Sequence, residues 1–161
     1  MKTYTASDLL VISIQLEMAA QELYKAWAKK FAAVSDVASF WSAYAAEEAT
    51  HARLLEELRA RLSPEQLATP VESEMAQDAE KLLISLRTEA EIHDLEQAYQ
   101  QANYLEHSEA NSLFEFIMAH FETDKKAIAF LRSQLDGHIG RLTYRFPEQF
   151  SRPELRRAIK V

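Results

Sequence analysis

The sequence predicts an all-α protein, a four-helix bundle of two pseudo-repeated helical hairpins joined by a crossover, and three observations carry that expectation. Only 2 Gly and 4 Pro occur in 161 residues, so few breakers interrupt long helix. Hydrophobic residues make up 48% and charged residues 27%, enough of each to give every helix an apolar stripe and a solvated face. Apolar residues also recur every 3 to 4 positions, as at Leu10, Ile14, Tyr24 and Ala28.

The first helix is expected to start after Ser7 as N-cap and to run to about residue 33. Ser35 and Asp36 offer a fresh cap, and a second helix continues from Val37 to about Leu62, where Ser63-Pro64 stops it. Residues 63–77 hold Pro64 and Pro70 and are long enough to travel the length of a bundle, so they are read as the crossover. A third helix is predicted from Asp78 to about His107 and a fourth from Ser108 to Leu135, with Gly137 suited to the stop. The bundle thus occupies residues 1–137. Residues 138–161, with Arg141, Arg145, Arg152, Arg156, Arg157, Tyr144, Phe146 and Phe150, form a basic, aromatic tail expected to dock on the bundle or on a partner subunit.

A formal net charge of −7 argues against general nucleic-acid affinity, which needs an excess of Lys and Arg against phosphate. No stretch reads as a membrane span, and the start MKTYTASDLL lacks the apolar core of a secretion signal. The expectation is a cytoplasmic protein without nucleic-acid or membrane partners. Cysteine is absent, which excludes disulfides, thiolate nucleophiles and sulfur-ligated iron within these residues. Any iron must therefore be held by oxygen and nitrogen.

A constant offset of 74 residues matches Glu17 with Glu91, Glu22 with Glu96, Phe40 with Phe114, Ala45 with Ala119 and Glu48 with Glu122. Mid-helix glutamates among apolar neighbours, at one depth on four helices, are poorly explained as solvated residues. Glu48 and His51, at i and i+3, stand about 60° apart around a helix and one turn along it, so both reach one ion. Hard carboxylates with an imidazole suit iron, with manganese or zinc as substitutes. The fourth element departs from the plan, because Lys125 stands where a second histidine would follow Glu122. His120 and His93 each lie two residues from their glutamates, about 160° around the helix, and do not replace it. Asp94, three residues after Glu91, shares its face and offers an additional carboxylate. Lys125 weighs against a second ion: it either supplies a positive charge within a one-ion site or pairs with Asp94 as a spectator. Tyr24, two turns beyond Glu17 on nearly the same stripe, is read as a neighbour of the site, either redox-active or packed in the core, and Trp41 and Tyr44 as its dry wall.

The stretch Glu17-x₆-Tyr24, followed by Phe40-Trp41-x₂-Tyr44-Ala45-x-Glu47-Glu48-x₂-His51-Ala52, resembles the first half of the rubrerythrin ferritin-like domain, and residues 78–135 resemble a degenerate second half. Ferritin-like di-iron bundles take one Glu from each of two helices and Glu-x-x-His from each of the other two. The resemblance implies a non-haem di-iron centre on Glu17, Glu48, His51, Glu91 and Glu122, with Asp94 as the family's additional carboxylate. It also implies reduction of peroxide or O₂, or oxidation of Fe(II), a homodimer, and a separate electron-transfer protein as donor. Iron storage or handling, and a metal-free helical scaffold descended from such a bundle, are the alternatives.

Overall fold

The computed structural model describes residues 3–87, 91–121, 125–126, 129, 133 and 140–161. It is an all-α helical bundle whose one sheet, among the described residues, is a two-stranded ribbon with two residues in each strand. The first helix, α1, spans Ala6–Lys30. Its N-cap is Thr5 and not Ser7: Thr5 Oγ1 accepts from the Asp8 amide, and the Asp8 carboxylate accepts from the Thr5 amide. That reciprocal box needs Thr5 extended, and the strand β1 (Tyr4–Thr5) holds it so by pairing antiparallel with β2 (Pro70–Val71). Tyr4 is buried and donates its hydroxyl to Glu80 at 2.7 Å, which ties the start of the chain to the far side of the crossover.

After a short turn, α2 spans Ser35–Arg61. Val34 is its N-cap and makes no side-chain bond, so Ser35 and Asp36 sit inside the first turn, where Asp36 faces the positive end of the helix dipole. The crossover contains a one-turn helix, α3 (Pro64–Leu67), opened by a Ser63–Gln66 capping box. Helix α4 spans Ser73–Arg87, starting five residues earlier than the sequence suggests. The expected continuous third helix is instead two helices, because Asp94 caps a new one, α5 (Leu95–Glu106). Helix α6 follows at Glu109–Phe121.

Helix α1 packs along α2 and, less extensively, on α4, while α6 lies against α4 and α1. The centre is aromatic: Tyr24, Trp27, Phe31, Trp41 and Tyr44 are fully buried with Leu9, Leu10, Leu55 and Leu58. The rings meet edge-to-face and stacked, with centroids 5.0 to 5.7 Å apart for Trp27–Trp41, Tyr24–Tyr44 and Tyr24–Trp41.

The C-terminal residues lie against α2 and α5. Phe146 packs edge-on to Phe40, Trp41 and Tyr99. Beyond it, the buried Arg156 pairs with Glu96, donates to the carbonyls of Phe150 and Ser151, and covers the Tyr99 ring at 4.0 Å. Burial by itself would raise the Glu96 carboxyl; the Arg156 guanidinium overrides it and holds the group below the ordinary range. The backbone closes the same contact, with the Leu95 amide on the Ile159 carbonyl and the Val161 amide on the His93 carbonyl. Arg156→Ala leaves a buried carboxylate without its cation, so a loss of about 3–5 kcal/mol of stability is expected in urea unfolding. A loss below about 1 kcal/mol would show that water reaches Glu96 and that the pair is only a surface contact.

Candidate metal centre

Glu17 lies midway along α1, and Glu48 and His51 one turn apart on α2. The α1–α2 packing brings these three side chains together in the interior, where they are 8%, 5% and 5% exposed. His51 Nδ1 stands 3.2 Å from Glu48 Oε2 and 3.5 Å from Glu17 Oε2. One donor atom from each residue lies within 4.8 Å of the others. Among the described residues this is the group arranged to hold a metal ion.

Two acids and an imidazole are costly to bury together, and their protonation shows how the cost is met. Burial, reinforced by the neighbouring Glu48 charge and opposed by His51, pushes the Glu17 carboxyl up to about 8. Burial alone would lower His51, but its hydrogen bonds to Glu17 and Glu48 outweigh that and push the imidazole up to about 9. The two rises are linked, since a charged Glu17 is part of what raises His51, so the group as a whole holds protons that a bound cation would displace. Carboxylate oxygens with an imidazole nitrogen form a donor set that fits iron, manganese or zinc.

The other residues expected at the site are placed elsewhere. Glu91 is exposed ahead of α5, on the rim of a groove of about 660 Å³ between α4 and α5 lined by Leu82, Leu86, Ile92 and Leu105. Asp94 is the N-cap of α5: Oδ1 accepts from the Gln97 amide at 2.9 Å and Oδ2 from Lys160 at 3.1 Å. The Gln97 amide is the main reason its carboxyl titrates below the ordinary range. Neither joins the cluster, because a capping carboxylate is turned toward its own helix terminus and Glu91 precedes that terminus. Glu122 lies outside the described residues. Lys125 is exposed, and the cation paired with Asp94 is Lys160.

The residue missed in the sequence is Glu106, 3% exposed at the end of α5. Tyr24 donates its hydroxyl to Glu106 Oε1 at 2.7 Å. Burial, followed by the charges of Glu106 and Glu48, holds the Tyr24 phenol well above its ordinary value, so it stays protonated. A signal was present: Leu95, Ala98, Ala102 and Leu105 form the buried stripe of α5, and Glu106 continues it eight residues after Ala98.

A search of curated proteins and a search of solved structures each returned no match. The family model described as Rubrerythrin matches residues 8–132, a span that includes Glu17, Glu48 and His51 and most of the chain. With a buried Glu, Glu-x-x-His group in the matching half, the chain belongs to the rubrerythrin family.

Proposed function

We propose that this protein is a non-haem iron protein of rubrerythrin type that reduces peroxide or O₂, or oxidises Fe(II), with electrons from a separate donor. The observation that carries the reading is the buried Glu17–Glu48–His51 group, whose donor atoms lie within 4.8 Å of one another. Iron bound there supplies one-electron chemistry and an open coordination position for oxygen ligands. The chain's own part is to present three donors from two helices, to release the protons they hold when the ion arrives, and to keep bulk water away with Tyr24, Trp41 and Tyr44. A homodimer is the assembly that the resemblance suggests. Among the described residues no helix is long and apolar enough to cross a membrane.

An anaerobic Fe(II) titration of metal-stripped protein, with retained iron measured by elemental analysis, tests the reading. About two ions per chain is the di-iron expectation, and the ferric form should show an absorption that bleaches on reduction and returns with peroxide. No retained iron, together with a thermal midpoint indifferent to Fe(II) and Mn(II), would leave a metal-free scaffold in its place.

A further inference from the structure

Tyr24 and Glu106 form a buried acid–base pair that the metal site does not need for its donors. The pair joins α1 to α5 across 82 residues of sequence, and both side chains are closed to solvent, Tyr24 at 0% and Glu106 at 3% exposure. A tyrosine hydroxyl in a core needs a partner, but a backbone carbonyl or water would serve; a buried carboxylate is an expensive choice. Its position next to a candidate redox centre gives that choice a purpose. Tyr24 touches Tyr44 at 5.3 Å between ring centroids, and Tyr44 sits one turn before Glu48 on α2. On its other side Tyr24 stacks on Trp41, with centroids 5.7 Å apart and planes 6° from parallel.

We propose that Tyr24 is a redox-active side chain that supplies the second electron to peroxide when the Glu17–Glu48–His51 group holds a single Fe(II) and no electron donor is present, and that Glu106 is the base taking its proton. The inference rests on the iron-binding reading above.

The step balances as a coupled transfer. Hydrogen peroxide takes up two electrons as its O–O bond breaks to two hydroxides; a single Fe(II) would give one and become ferric, and Tyr24 gives the other as its O–H bond breaks and its proton crosses the 2.7 Å hydrogen bond to Glu106 Oε1. A neutral phenoxyl radical and a carboxylic acid remain. When a reductant supplies an electron, the proton returns to Tyr24 and Glu106 is again a carboxylate. Coupling matters because an oxidised phenol that kept its proton would be a cation buried in apolar surroundings, and the phenol does not ionise beforehand.

The same physics decides between Tyr24 and its stacked neighbour. Trp41 is fully buried, and its indole Nε1 has no hydrogen-bond partner among the described residues. An oxidised Trp41 has nowhere to send a proton and would remain a buried cation, so the radical settles on Tyr24. Burial under Trp27, Trp41 and Tyr44 then keeps it from solvent and from other chains.

The experiment loads the full chain anaerobically with one equivalent of Fe(II), confirms one iron per chain, adds one equivalent of hydrogen peroxide without reductant, and freezes the sample for electron paramagnetic resonance. Zinc-loaded protein is the redox-inert control. A tyrosyl radical signal is expected in the iron protein and not in the zinc protein. It should be lost in Tyr24→Phe, retained in Tyr44→Phe, and lost in Glu106→Gln, with iron content and circular dichroism unchanged in all three. An iron-loaded protein without an organic radical, or with the same signal in Tyr24→Phe, overturns the proposal while leaving the iron reading intact. Loss of iron along with the radical in Glu106→Gln would make Glu106 a metal ligand and overturn its role as base. Failure of the native chain to retain iron defeats the iron reading itself, and this inference with it.

Discussion

Metal-stripped His51→Ala protein is expected to bind Fe(II) more than about 100-fold more weakly than the native chain, since even loss of a residue that merely supports a ligand costs 10- to 100-fold. The imidazole is the one nitrogen donor in the cluster, and its Nδ1 lies within 3.5 Å of both carboxylates. The substitution also takes the cationic partner from between Glu17 and Glu48, so Glu17 should hold its proton to still higher pH. Two readouts separate these effects. Titration calorimetry reports the affinity, and circular dichroism of the metal-free protein reports whether the α1–α2 pair has kept its packing. Unchanged affinity in a folded His51→Ala protein would place the metal somewhere other than Glu17, Glu48 and His51.

Acidity should govern metal uptake just as strongly. Near pH 7 the ion must displace protons held by the Glu17–His51 pair, so affinity is expected to climb by at least about 10-fold per pH unit. The same protons set the stability of the metal-free protein. Glu17 is raised from 4.5 to about 8, so the folded state holds its proton more tightly than the unfolded chain. That contribution is complete below pH 4.5 and is lost as pH rises through 8. His51, raised from 6.5 to about 9, contributes fully below 6.5 and loses its contribution through 9. Metal-free protein should therefore lose thermal stability between about pH 5 and pH 9. Saturating metal should flatten that decline, because the donors have already given up their protons. Differential scanning calorimetry with and without Mn(II) checks both curves, and a metal-free midpoint rising toward pH 9 would contradict the protonated cluster.

The half of the site on α1 and α2 was legible because its evidence is local. Glu48 and His51 are fixed to one another by a single helical turn, and Glu17 reaches them across a hairpin with a short connection. The other half depended on a repeat offset, which places residues at one depth only where both halves fold alike, and α5 begins at Leu95, after Glu91, while Glu122 lies outside the described residues. Asp94 misled for a physical reason. No Pro or Gly marks residues 88–94, and the sign of a new helix there was a capping aspartate followed three residues later by a glutamine. Gln97 indeed reaches back to accept from the His93 amide at 2.7 Å. Read as helix interior, Asp94 shares a face with Glu91; read as a cap, it ends that face. The Thr5 box was missed likewise, because Ser7 is an equally good capping residue and only the ribbon with Pro70–Val71 decides between them.

Fastening α5 by the C-terminal segment has a kinetic side. Asp94 and Lys160 meet across 66 residues of sequence, a loop whose closure entropy must be met before its contacts give anything back. Helix α5 thus combines short-range helical bonds with an anchorage of high contact order, whereas the α1–α2 hairpin is local throughout. The expected order of assembly has Glu17, Glu48 and His51 converging with the local hairpin and Glu106 reaching Tyr24 later, as the long-range closure seats α5. A chain with its first three donors in place is, for that interval, a binding site whose neighbouring phenol has no base.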